Sequence, residues 1–194
     1  MGSTSDRLLF YSLYYHYLID KTWGNRFVAK SALDAAEWGV APADMGIGFY
    51  KSFGSVTSGL LITNGEGYKE SETDNHQKLS LQVLYGENTL DKNSGYNVGL
   101  VYSVMLEPDH STVSGLFGGW STENITLGME YNTNGDNFFV DPNAYLTSFS
   151  MNYDINDSFG FFIRQDSLDP DTDITDDEED TAMAGFIWSP TKGL

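Results

Sequence analysis

Residues 124–165 read NITLGMEYNT (124–133), NGDNFFVDP (134–142), NAYLTSFSMNYDI (143–155), NDS (156–158) and FGFFIRQ (159–165). Three of these segments alternate apolar and polar residues. In the first, Ile125, Leu127, Met129 and Tyr131 fall on one side, with Asn124, Thr126, Gly128 and Glu130 on the other. In the second, Tyr145, Thr147, Phe149, Met151 and Tyr153 oppose Leu146, Ser148, Ser150 and Asn152. In the third, Phe159, Phe161 and Ile163 oppose Gly160, Phe162 and Arg164. Successive side chains of a strand point to opposite faces, so a period of two predicts three β-strands.

Working outward, the same alternation predicts strands at 43–51, 56–64, 77–86, 95–105, 112–120, 124–133, 143–154, 158–166 and 181–189. The run RLLFYSLYYHYL (7–18) is apolar or aromatic on both sides. It reads as a further strand, buried on two faces or lying at a membrane interface, with a helix as the alternative. Phe27 to Trp38 carries the Ala, Leu and Glu of one short helix. The connections alternate in length. Turns at 52–55, 121–123 and 156–158 are short, 87–94 is intermediate in a short-side position, and 65–76, 106–111, 134–142 and 167–180 are longer and polar.

Two architectures share this alternation. A soluble sandwich turns the polar face to water, and an outer-membrane barrel turns the apolar face to lipid and the polar face to a wet lumen. One-sided loop length is the habit of the barrel. A ten-residue strand rises about 33 Å, and a tilt of about 40° makes it cover roughly the 25 Å apolar band. Aromatic residues near strand ends (Trp120, Tyr131, Tyr153, Trp188) and Phe138 and Phe139 in a loop fit an interfacial girdle. The expected fold is therefore all-β: an antiparallel meander forming an outer-membrane β-barrel of about ten strands, closed or incomplete, with one short helix near 27–38. At 194 residues the chain needs no second domain.

Composition narrows the function. There is no cysteine, which removes disulfides and thiolate metal sites. A net charge of −18 disfavours a nucleic-acid partner, whose phosphates it would repel. His16, His76 and His110 lack metal-ligand spacing, and neither a nucleophile elbow nor a phosphate-binding loop is present. These features predict a protein that is not an enzyme. Asn64-Gly65-Glu66-Gly67-Tyr68 reads as hairpin chemistry in preference to a ligand loop. In the acidic tract 166–180, Asp169, Asp171 and Asp173 alternate as calcium ligands do, so Ca²⁺ is the one cofactor the sequence offers. That tract lacks the sharp-turn Gly and the bidentate Glu, and a solvated acidic loop is the simpler expectation. Such a loop could also hold divalent ions that bridge lipopolysaccharide, or repel anions at a pore mouth.

Four strings, in order, resemble a known family: Trp23-Gly24-Asn25-Arg26-Phe27-Val28-Ala29-Lys30; Pro42-Ala43-Asp44-Met45-Gly46-Ile47; Asn64-Gly65-Glu66-Gly67-Tyr68-Lys69; and Ala184-Gly185-Phe186-Ile187-Trp188-Ser189-Pro190-Thr191-Lys192-Gly193-Leu194. Together, over about 22–194, they resemble bacterial outer-membrane porin-like proteins related to the phosphate-selective porin O and P group. The resemblance implies a bacterial outer-membrane location, contact with lipid or lipopolysaccharide, passage of small hydrophilic solutes, and compatibility with a homo-oligomer. The family carries a signal peptide, further N-terminal strands and a terminal aromatic residue, so the resemblance implies a fragment of a larger barrel.

Charge placement departs from phosphate selectivity. No Lys or Arg occurs between Asn93 and Ile163, while eight carboxylates do, from Glu107 to Asp157. Such a wall draws cations and discourages anions. Lys78, Glu130 and Arg164 are the candidate pore-lining charges, with a mutually paired Glu–Arg in a plugged interior as the counter-reading. The sequence thus predicts a porin-like passive channel that leans toward cations. The alternatives are a soluble extracellular β-sandwich binding carbohydrate through Trp120, Trp188 and Tyr68, and a non-conducting structural barrel.

Overall fold

The computed structural model describes residues 7–8, 14–36, 38, 43–65, 76–106, 112–140 and 142–190. One antiparallel sheet takes up most of them. Its ten strands lie in chain order: β1 (Arg7–Leu8), β2 (Gly46–Phe53), β3 (Val56–Thr63), β4 (Lys78–Gly86), β5 (Gly95–Met105), β6 (Thr112–Ser121), β7 (Ile125–Gly135), β8 (Ala144–Asn156), β9 (Phe159–Asp169) and β10 (Glu179–Trp188). This is a meander of nine long strands and one two-residue strand. Among the described residues, β10 pairs only with β9 and β1 only with β2, so the sheet is open. The strands predicted from 43 onward all form, with ends shifted by a few residues.

The run 7–18 is corrected. Among its described residues only Arg7–Leu8 is strand, and Tyr14–Trp23 is helix α1, the alternative the sequence left open. Leu18, Ile19, Thr22 and Trp23 are buried one helical turn apart, facing the sheet. The reason is hydrogen bonding. A strand laid across a sheet face would bury unpaired N–H and C=O groups, whereas a helix satisfies its own backbone. Gly24 stops α1 in the left-handed region (φ 74°), with its N–H donated to Asp20 O at 2.8 Å, a helix-terminating turn that costs a β-carbon residue strain. The short helix expected near 27–38 is α2 (Ala32–Ala36), shorter because Gly24 to Lys30 form the turn that joins the two helices.

Both helices lie against the same side of the sheet, mainly on β7 and β8, and this side is called the inner face. It carries the polar half of the alternation together with a small apolar cluster. In that cluster Leu18, Ile19, Ala32 and Leu33 meet Leu84, Val101, Val113, Phe117 and Leu146. Three inner-face aromatics lie over glycines directly opposite in register: Tyr50 over Gly59, Phe117 over Gly99 and Phe162 over Gly185. A Cβ on Gly99 would sit 2.2 Å from the Phe117 ring, so only the hydrogen side chain leaves the ring its place.

The outer face holds the apolar half and is exposed. Val98, Leu116, Met129, Phe149 and Ile163 are open to the surroundings, and Leu100 and Leu127 are half-buried. No second sheet covers this face among the described residues. At the end of the sheet with the short turns it presents Phe53, Tyr85, Tyr96, Trp120, Phe159 and Trp188. At the other end, the loop after β7 folds back onto it: Phe138 meets Tyr102 edge-on at 5.4 Å, and Phe139 (φ 51°) stacks on Tyr131 at 6.1 Å.

Candidate functional site

The richest arrangement of polar side chains is where α1 and the turn after it rest on β6 to β9. Its geometry begins with two glycines. Gly119 on β6 and Gly128 on β7 are paired in register, and Thr22 of α1 lies over both. A Cβ at Gly128 would meet Thr22 Cγ2 at 2.8 Å, and one at Gly119 would meet it at 3.1 Å. The missing side chains form a flat seat on which the helix approaches the sheet backbone.

The segment Trp23-Gly24-Asn25-Arg26 fastens the helix end. The Trp23 ring is edge-on to Phe162 at 5.4 Å and stands under the Arg164 guanidinium at 5.0 Å, while its Nε1 donates to Ala29 O at 2.9 Å. From β8, the Asn152 amide donates to Trp23 O at 2.9 Å and Thr22 O at 3.4 Å, satisfying carbonyls that a helix terminus leaves open, and accepts from Asn25 Nδ2. Arg26 donates to Asp20 and Asp34 at 2.8 and 2.6 Å, tying α1 to α2. Burial pushes the Asp20 carboxyl above its ordinary value and outweighs the Arg26 bonds that act the other way.

All three candidate pore-lining charges face inward and are buried. Arg164 makes a two-pronged ion pair with Asp166, two residues along β9, through Nε at 2.8 Å and Nη2 at 2.7 Å; Nη1 donates to Lys30 O at 2.6 Å. Glu130 accepts from Asn132 Nδ2 at 3.0 Å. Glu130 and Arg164, with Thr22, Ser148 and Ser150, line a cavity of about 10 Å³, room for about one water. Lys78 is not part of that group. It stands on β4, at 2.9 Å from Asp44 just ahead of β2, with both side chains almost wholly buried. Burial alone would raise the Asp44 carboxyl. The hydrogen bonds and charge of Lys78, and the Met45 N–H at 2.9 Å, overcome that and hold it below the usual carboxylate range.

The inner face is therefore not the wet surface that alternation alone suggests. Where α1 and α2 lie, its serines and amides are covered by helix. The three calcium candidates lie at the far end of β9 and in the loop beyond. Asp169 is buried, and Asp171 accepts the Asp173 N–H at 3.1 Å, a turn-forming bond. Among the described residues no three acidic or histidine side chains converge on a metal-sized site. Tyr68 of the carbohydrate reading lies outside the described residues, and Trp120 and Trp188 sit four strands apart on the outer face.

Sequence reasoning set Asn152 on the side of Ser148 and Ser150 but gave no role to it, nor to Gly119, Trp23 or Asp44. The WGNRF string was visible, and its role as the fastening of a helix was not. No helix of the described residues is long and apolar enough to cross a membrane, which says nothing of crossing by strands. Compared with protein-family models, with curated proteins and with solved structures, the chain finds no match, so its function is read from the geometry above.

Proposed function

We propose that this chain forms, or forms part of, a porin-like β-barrel in a bacterial outer membrane and passes small hydrophilic solutes passively, cations more readily than anions. The observation that carries the reading is the sorting of the sheet. Large apolar side chains face outward with no protein layer over them among the described residues, and most polar ones face inward, the reverse of a water-soluble sheet. The exposed aromatics along the short-turn end support it, as a girdle at one interface would look this way. A soluble sandwich requires a second sheet on the apolar face. The resemblance of the four strings to porin-like proteins is in keeping with it. Lipid or lipopolysaccharide is then the partner of the outer face.

The charge preference rests on pairing. Lys78 is neutralised by Asp44, Arg164 by Asp166, and Arg26 by Asp20 and Asp34. An anion pore requires a ring of cationic side chains facing the solute, and these three are already committed to carboxylates. The test is conductance in planar bilayers under a potassium chloride gradient. The reversal potential is expected on the cation-selective side, and an anion-selective potential would overturn the preference. Stability of the native fold in detergent-free buffer would overturn the membrane reading itself. A second reading, a non-conducting structural barrel, is favoured by the helix seated on the inner face, and the absence of any current would establish it.

A further inference from the structure

We propose that the segment Tyr14–Ala36 is a displaceable plug, seated on Gly119 and Gly128 and held shut by Asn152 and Arg164. The inference rests on the channel reading. Seated on β7 and β8, the segment leaves beside Thr22, Glu130 and Arg164 a space for about one water.

Two features separate a displaceable element from a permanent core. The first is what lies underneath. Beside the apolar cluster under Leu18, Ile19, Ala32 and Leu33, the helix pair also buries serines, amides and charges, which a permanent core would replace with apolar side chains. Gln82, opposite Val101 of the apolar cluster, is almost wholly buried, and among the described residues neither its amide nitrogen nor its oxygen has a partner; Asn97 Oδ1 is likewise unsatisfied. Unpaired buried polar atoms are costly, and water reaching the face would satisfy them. The closed arrangement is thus penalised where an open one would be hydrated.

The second feature is the fastening. Contacts that pin the Trp23–Lys30 end are directional and polar. Asn152 caps the carbonyls of Thr22 and Trp23, and Arg164 holds Lys30 O while lying over the Trp23 ring. Both residues come from β8 and β9, neighbouring strands on the inner face. A few bonds at one end of a helix form a latch that a single substitution can weaken.

The glycine seat supplies the test. A Cβ at Gly128 would lie 3.7 Å from Thr22 Cβ, within the 3.5–4.5 Å that a disulfide spans, and the chain has no cysteine of its own. The double variant T22C/G128C, folded into a planar bilayer, is expected to be silent when oxidised and to conduct on addition of dithiothreitol. Equal current before and after reduction would overturn the plug and leave the channel reading standing. A second measurement is independent of current: the rate at which a charged methanethiosulfonate reagent labels T22C in vesicles. Adding Asn152→Ala is expected to speed labelling about tenfold, the change that loss of a hydrogen bond brings. An unchanged rate would overturn the latch. Should no form conduct, the channel reading falls, and the labelling rates still decide whether the segment moves.

Discussion

Met129→Arg separates lipid from water as the surroundings of the outer face. Met129 is 63% exposed, on the outer side of β7, between Gly118 of β6 and Phe149 of β8. It stands four residues from Ile125 and six from Gly135, the ends of that strand. At about 3.4 Å per residue and a tilt of about 40°, it lies about 10 Å from one end and about 16 Å from the other, near the middle of a band about 25 Å tall. In water, a substitution at so open a position changes stability by no more than about 0.5 kcal/mol. In hydrocarbon, arginine at mid-depth costs about 2–4 kcal/mol, a shift of roughly 30- to 900-fold in the folding equilibrium. Ile125→Arg, at the turn end of the same strand, costs about 0–1 kcal/mol in the same setting. The assay is urea-dependent folding into phosphatidylcholine vesicles, followed by tryptophan fluorescence. If Met129→Arg folds as stably as the wild type in vesicles, or costs no more than Ile125→Arg, the outer face does not meet lipid and the argument from sorting fails.

Other consequences follow from the inner face. Asp44→Asn and Lys78→Met each leave a buried charge without its opposite and are expected to cost about 3–5 kcal/mol in urea titrations, with the double variant recovering at least half; additive losses would show that the pair is not coupled. Because the Asp44 carboxyl is held below its ordinary value when folded, its stabilising contribution is complete above the unfolded value of about 3.9 and is lost as pH falls through the folded value. The stability difference between wild type and Asp44→Asn should therefore be constant from pH 7 to about 5 and shrink below about 4; a difference unchanged at low pH would contradict the assignment. Gly99→Ala places a Cβ 2.2 Å from the Phe117 ring and is expected to cost about 1–3 kcal/mol, most of it restored by adding Phe117→Leu; a neutral Gly99→Ala would mean that the ring does not lie over that glycine.

Sequence alone determined the nine strands from residue 43 onward, their order of appearance and the face to which each of their side chains belongs. These follow from a period of two, a local property that holds whatever the strand pairs with: Met129 and Phe149 are outward and Glu130 and Arg164 inward, as alternation requires. The long-range partners were decided by the tertiary structure. Lys78 finds Asp44 from 34 positions away, and Arg164 finds the carbonyl of Lys30 from 134 away, because the register of successive hairpins and the placement of two helices bring those positions together. The residues 14–23 could not be assigned from their own pattern, being apolar or aromatic on nearly every side until Asp20. They are helical because the face that receives them offers no strand edge to pair with, and a backbone buried there must satisfy itself.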